Sequence, residues 1–433
     1  MKHALLAASL VFALPVAAMA QDDDGDPLEA ATYRRIEQVV EVMQGTTKPE
    51  AVFSERFLQA VPPDRLAAFT KQMTDANGAI KGTEDIVYKG KGAASFDLVF
   101  EQAHGDALLQ VSPDDPYLVE GYRITGFHKT GDTLEQVASD VEALPGKASL
   151  GVYALEPGGP RAIMAKNGDA ELAIGSTLKL YVLSALAREI AAGKRHWNDV
   201  VPLDAHSLPS GQMQGWSIGS PVTLHTLATM MISISDNTAT DVLIRLLGRK
   251  AIETEMVASG HSDPGRNTPF ITTVESFALK TGDPARIAEF KAADDEGQRK
   301  LLEQWAPTLD AAHVDPAKFT GTPNAIDSIE WFASPEDIAR IFTRLRDSGD
   351  LQVLDILAIN SGVASGIEKK WAYVGFKGGS EPGVINSSWL FKDANGKWFA
   401  VSGSWNDTDK PVDDTKFIAL AMRAIALISP SGS

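Results

Sequence analysis

The sequence predicts an α+β protein of two domains. Its 433 residues at 44% apolar composition are enough for two separate cores. Near the start, helical periodicity gives way to a run of alternating strands. In the remainder, two strand-like segments around residue 150 find three partners only after residue 372. Helices followed by an antiparallel meander, and a sheet split between the ends of a helical region, are both α+β patterns.

In chain order, Met1-Lys2-His3 precedes an apolar stretch from Ala4 to Ala18, and Ala18-Met19-Ala20 forms an A-x-A cleavage pattern before Gln21. Residues 1–20 therefore read as a signal peptide whose apolar core is too short to span a bilayer comfortably. A periplasmic or secreted location is the expectation, with no cysteine at the junction to carry a lipid anchor. Residues 21–31, with Asp22-Asp23-Asp24-Gly25-Asp26, form an acidic leader that lacks the later glutamate of a calcium loop.

Residues 32–143 make the first domain, with helices around Arg35–Met43 and Phe53–Met73. Strands follow at Ile86–Tyr88, Ala94–Phe100, Ala107–Val111 and Val119–Phe127. Leu144-Pro145-Gly146 is a hinge, and residues 146–433 make the second domain. Leu150–Leu155 and Ala162–Ala165 are its first strands, joined through Pro157-Gly158-Gly159-Pro160. Runs from Tyr373, through Trp389 and Phe391, to Trp398–Ser404 supply three more, predicting a five-stranded antiparallel sheet flanked by helices. Lys416–Ile428 reads as a closing amphipathic helix, and the charged stretch 280–323 is either a lid or helical padding.

The chemistry sits in the second domain. Ser176-Thr177-Leu178-Lys179 opens a helix whose apolar positions Leu180, Leu183, Leu186 and Ala187 recur at helical spacing. A serine hydroxyl needs an adjacent base to become a nucleophile, and a lysine three residues on shares its helical face. Ser176, in the first turn, also has a backbone N–H without an intrahelical partner, half of an oxyanion hole. Acyl transfer is the chemistry implied.

Ser235-Asp236-Asn237 closes the apolar run Leu224–Ile232 and precedes Val242-Leu243-Ile244. Gly175–Tyr181 and Ser235–Asp241 together resemble the S-x-x-K and S-D-N motifs of class A β-lactamases and penicillin-binding serine hydrolases, over about residues 146–433. The resemblance implies that Ser176 is acylated with Lys179 as base, that Ser235 relays protons to the leaving group, and that Asn237 faces the acyl chain. Asp236 is expected to turn inward as a structural acceptor. For the third motif, Lys377-Gly378-Gly379-Ser380 between two strand-like runs is favoured over Lys280-Thr281-Gly282, which reads as a helix stop. Lys377 would attract a substrate carboxylate, Gly379 and Ser380 would border the substrate, and the Ser380 N–H would be the second oxyanion donor. Gly378 stands where the family usually has a hydroxyl residue.

Glu275 is the nearest match to the deacylating glutamate, and Thr272-x-x-Glu275 is also a capping box, the favoured reading. Gly215-Trp216-Ser217-Ile218-Gly219 satisfies G-x-S-x-G but lies in a Gly- and Ser-rich stretch, so a turn is expected there. The first domain resembles cystatin-like and steroid-isomerase-like cones, and the pairing is similar in layout to a two-domain protein of clavulanic acid biosynthesis.

The chain has no cysteine, and its eight histidines form no paired ligand spacing. No metal and no cofactor are expected. A formal charge of −17 disfavours nucleic acid as a partner. The expectation is a secreted serine hydrolase that forms an acyl-enzyme on Ser176 with a small β-lactam, ester or peptide-like substrate. The alternative is a penicillin-binding sensor without turnover, or a ligand-binding scaffold. The sequence leaves oligomeric state open.

Overall fold

The computed structural model describes residues 26–318, 321–363 and 365–430. The signal peptide expected at 1–20 and most of the acidic leader lie outside those residues. The chain divides into two compact units at Thr130/Gly131.

In the first unit, α1 (Pro27–Met43) starts at Asp26, whose side chain accepts from the Leu28 N–H. The single helix expected over Phe53–Met73 is two helices, α2 (Glu55–Ala60) and α3 (Pro63–Asn77). Pro62 and Pro63 have no N–H to give and bar the residue before them from helical backbone, so the break falls there. Strands β1 (Ile80–Gly90), β2 (Ala93–Phe100), β3 (Ala103–Val111) and β4 (Val119–Lys129) form the antiparallel meander in chain order. The first strand is much longer than Ile86–Tyr88. A register shift between Glu84 and Val87, with Asp85 at φ +49°, interrupts the alternation that reveals a strand. Ala94, Phe96, Leu98 and Phe100 point inward from β2 and pack with Ile36, Val39 and Phe53.

The second unit begins with α4 (Leu134–Glu142), then β5 (Lys147–Glu156), β6 (Gly159–Lys166), the two-residue β7 (Leu172–Ala173) and α5 (Lys179–Ala191). Two short strands, β8 (Val200–Pro202) and β9 (Pro221–Thr223), pair ahead of α6 (Leu224–Ser233), α7 (Asn237–Leu247) and α8 (Arg249–Ala258). Next come α9 (Thr273–Thr281), α10 (Pro284–Ala292), α11 (Asp295–Trp305), β10 (Phe332–Ala333), α12 (Pro335–Asp347), α13 (Leu351–Ala358) and α14 (Ser365–Glu368). The chain closes with β11 (Tyr373–Glu381), β12 (Val384–Lys392), β13 (Trp398–Asn406) and α15 (Asp414–Ile428).

The five-stranded antiparallel sheet runs β11-β12-β13-β5-β6. One face carries Leu150, Val152, Trp389 and Phe391 against α4 and α15. The other carries Tyr153, Leu155, Leu390 and Ala400 against the larger helical core. Residues Ala148 to Leu155 of β5 are all buried, which explains an apolar run without alternation. Helix α4, placed before the hinge by the sequence reading, packs in this unit. Val137 and Val141 meet Ala421 and Ile425, and the Arg423 guanidinium bridges Asp132 (2.6 Å) and Asp140 (2.7 Å). A short polar-faced helix carries no sequence mark of which sheet it will cover.

Where described, the 280–323 stretch carries α10, α11 and short 3-10 turns joined by irregular segments, and Phe290, Leu301, Leu302 and Trp305 join the main core. No helix among the described residues is long and apolar enough to cross a membrane.

Candidate active site

Ser176 lies in a single 3-10 turn, Gly175–Leu178, that feeds directly into α5 at Lys179. Burial of Leu180, Leu183 and Leu186 fixes that helix in the core, and Lys179 is carried inside with it, fully buried. Its amine lies 3.1 Å from Ser176 Oγ, 3.0 Å from Ser235 Oγ, 2.7 Å from the Ser235 carbonyl oxygen and 2.8 Å from Asn237 Oδ1. Four oxygens surround a group that has at most three protons. The Ser235 carbonyl and the Asn237 amide oxygen only accept and so take two of its protons, while the two hydroxyls can give or accept the remaining contacts. Burial, and then the charge of Lys377, hold Lys179 well below the usual lysine range, against the opposing pull of Asp241 and Asp236.

Ser235 sits at φ +59°, a left-handed conformation that costs a serine about 1 kcal/mol or more. The twist turns both its carbonyl and its hydroxyl toward Lys179. Its Oγ is also 3.1 Å from the Lys377 amine, so one hydroxyl bridges two lysines. The Lys377 amine donates as well to the Gly378 carbonyl, and burial lowers its pKa to about 7.

Asp236 turns inward. It caps α7 through the Ala239 N–H (2.9 Å) and accepts from the Gln212 and Met213 N–H groups at 2.6 and 2.8 Å. Gly211, at φ +114°, makes room for it, since a Cβ there would lie 2.3 Å from Asp236 Oδ2. Further along α7, fully buried Asp241 accepts from Ser207 Oγ and from the Thr273 and Val274 N–H groups, tying α7 to the start of α9.

The β11 backbone closes directly on the turn that carries Ser176. A Cβ on Gly379 would sit 2.3 Å from both the Ile174 carbonyl oxygen and the Ser176 nitrogen. One on Gly175 would lie 3.3 Å from the Ser380 nitrogen. Two chain segments approach this closely only where neither has a side chain. The Ser380 side chain is exposed, while its backbone nitrogen lies against the turn, 3.3 Å from where a Gly175 Cβ would stand.

Ser176, Lys179, Ser235, Asn237 and Lys377 thus form one hydrogen-bonded group, with Gly379 and Ser380 beside it. Glu275 stands apart. It completes the capping box with Thr272, accepting from the Thr272 N–H at 2.8 Å, and its other oxygen pairs with Arg249. Among the described residues, no carboxylate hydrogen-bonds the side chains of Ser176, Lys179, Ser235, Asn237 or Lys377. Ser217 follows the turn Met213–Gly215 and is separated from α6 by β9, so the strand–elbow–helix of a G-x-S-x-G nucleophile is not formed. Lys280-Thr281 ends α9 with Gly282 as its cap, the helix stop expected of it.

A second polar network escaped the sequence reading. Thr177 Oγ1 donates to Asn386 Oδ1 (2.7 Å), which also accepts from Ser388 Oγ (2.8 Å). Asn386 Nδ2 donates to Ser404 Oγ (2.8 Å), and Ser388 and Ser402 hydroxyls meet at 2.9 Å. These buried groups anchor Thr177, the residue after Ser176, to the middle of the sheet. A signal existed: Asn386-Ser387-Ser388 interrupts an otherwise apolar strand, and polar residues in a doubly covered strand mark a satisfied network or a site.

The sequence profile described as the β-lactamase enzyme family matches residues 129–426, well over half of the chain. The chain belongs to the β-lactamase enzyme family. The match begins just before α4 and ends within α15, so it spans every residue of the site described above. Among curated proteins none matches the chain. Solved structures similar to it include a β-lactamase from Sphaerobacter thermophilus, 21% identical with a TM-score of 0.46, covering 68% of this chain and 95% of that one. PBP-A is 17% identical with a TM-score of 0.47, over 68% and 94% of the two chains. A β-lactamase from Francisella tularensis is 17% identical with a TM-score of 0.46, over 68% and 97%.

Proposed function

We propose that this member of the β-lactamase enzyme family acylates itself on Ser176 with a β-lactam or a related ester or amide, and releases the acyl group slowly. The buried Lys179 amine, held well below the usual lysine range and in contact with Ser176 Oγ, carries the reading. As Oγ attacks the substrate carbonyl carbon, its proton passes to the Lys179 lone pair. The Ser176 and Ser380 N–H groups receive the charge that gathers on the carbonyl oxygen. The proton then moves from Lys179 to Ser235 Oγ, and the Ser235 proton goes to the leaving nitrogen or oxygen as its bond to carbon breaks. Lys377, charged when it meets a substrate carboxylate, holds the anionic end beside Ser235.

Slow release follows from Glu275. Its carboxylate is committed to the α9 cap and to Arg249 and hydrogen-bonds none of the side chains grouped around Ser176, so it is not aimed at the acyl carbon as a water-activating base would be. That observation favours a penicillin-binding sensor as the second reading, in which the acyl group stays on Ser176.

The experiment is a time course of a fluorescent penicillin with the mature protein, beside steady-state assays on a cephalosporin and a short-chain ester. The expected result is a burst of one label per chain followed by slow turnover; a folded sample that takes up no label contradicts the proposal. Glu275→Gln is expected to leave the deacylation rate within about twofold and to lower stability by about 0.5–2 kcal/mol through the weakened cap. A large fall in deacylation alone would make Glu275 the base instead.

A further inference from the structure

Among the charged groups that the unit buries outside the acylating group, one cluster borders the site directly. Lys280, near the end of α9, donates to Glu330 Oε1 at 2.9 Å and to Glu381 Oε1. The three side chains are 5%, 3% and 11% exposed. Lys280 from α9 and Glu330 from the segment before β10 are the charged groups that face Glu381. One ammonium against two carboxylates leaves a net negative charge in a dry site, a costly arrangement that one added proton cancels.

The place of this cluster matters. Glu381 is the last residue of β11, next to Ser380, and pairs with Val384 across the tight turn that leads into β12. Lys280 belongs to α9, whose first turn is held by Asp241 of α7, the helix that begins at Asn237. Helix α9 therefore joins the two segments that wall the site, and the cluster is its fastening to the strand.

We propose that Lys280, Glu330 and Glu381 form a proton-holding latch that fixes the end of β11 and, through it, the position of the Ser380 N–H. The role of that N–H rests on the function proposed above; the latch itself does not. With a proton on Glu381, its carboxyl donates to Glu330 while Lys280 bridges both. On losing it to solvent, two carboxylates face each other and the fastening weakens. Burial pushes the Glu381 carboxyl up to about 8, Lys280 opposes the rise, and the charge of Glu330 together with the hydrogen bond that protonated Glu381 donates to it adds to it. For a value raised above that of the unfolded chain, the stabilising proton is fully present in acid and its contribution is lost as pH climbs toward about 8.

The test is thermal melting of the full chain from about pH 6 to about pH 9 for the parent, Glu381→Gln and Glu381→Ala, with the fluorescent penicillin acylation rate measured alongside. Glutamine keeps the shape of the protonated acid but cannot lose the proton. The parent is expected to lose about 4 °C more than Glu381→Gln across that range. Glu381→Ala is expected to acylate at least about tenfold slower than Glu381→Gln, as a displaced oxyanion donor requires. Superimposable melting profiles for the parent and Glu381→Gln overturn the latch. Equal acylation by Glu381→Ala and Glu381→Gln overturns its hold on Ser380. If no form acylates, parent included, the function proposed for Ser176 fails while the melting profiles still decide the latch.

Discussion

Lys179→Met is expected to slow acylation of Ser176 by roughly 10²- to 10⁴-fold, the range general-base removal produces. The substitution keeps the length and volume of the side chain while deleting the lone pair that receives the Ser176 proton. The fold should persist, because methionine fills the same buried volume in the first turn of α5. The Ser235 carbonyl and Asn237 Oδ1 lose their shared donor, at about 1–3 kcal/mol for each group left unpaired. Circular dichroism and melting separate that loss from the kinetic one. The pH profile adds a signature specific to the chemistry. In the parent, acylation rises with pH as Lys179 sheds its proton, at a value well below the ordinary lysine range. For a probe bearing a carboxylate it falls again as Lys377 loses its charge through about 7. Stopped-flow rates should give a bell for the carboxylate probe and only the rising limb for a neutral ester. Lys179→Met should lack the rising limb with either. A methionine variant that acylates at the parental rate removes Lys179 from the mechanism.

The second large effect is expected from a single methyl group. Gly379→Ala places a Cβ 2.3 Å from the Ser176 nitrogen and 2.3 Å from the Ile174 carbonyl oxygen, contacts that no real side chain shows. Relief requires β11 to move away from the nucleophile turn. The pairing Gly379↔Asn386 and the Thr177–Asn386 hydrogen bond resist that movement from the other side. The Ser380 N–H moves with the strand, so acylation should fall by roughly 10²- to 10³-fold, as for loss of one oxyanion donor. Overpacking adds a destabilisation of about 1–3 kcal/mol, read from urea midpoints. The corresponding change at Gly378 is a control, since its Cβ would meet the Phe376 ring at 2.9 Å and the Asn386 carbonyl oxygen at 3.2 Å and not the turn that carries Ser176. If Gly379→Ala acylates as fast as Gly378→Ala, the close approach of the two backbones plays no part in catalysis.

How much of this could be read from the sequence depended on whether a feature is local. Ser176 and Lys179 share one turn, so their contact follows from helical spacing alone. The five strands of the large sheet were legible because each is bounded by glycine, proline or charged turns. Their order was not, because β13 pairs with β5 across most of the chain and periodicity says nothing of partners. The split at Pro62-Pro63 was written in the sequence, and the apolar pattern on either side masked it. The extension of β1 back to Ile80 was hidden by a bulge. Asn386 and Asp241 escaped attention because each is a lone polar residue whose partners lie far away in sequence. Lys280 was read correctly as the end of a helix, and its neighbours Glu330 and Glu381 could not be seen from that position. Glu275 shows the reverse case: a capping box is complete within four residues, and it formed as the local pattern demands.

Acylation at Ser176 is tested most directly by peptide mapping of the protein after reaction with a fluorescent penicillin, beside Ser176→Ala treated identically. The account predicts one adduct per chain, on the peptide that contains Ser176, and none on the alanine variant. An adduct on any other residue, or equal labelling of a folded Ser176→Ala protein, would contradict it.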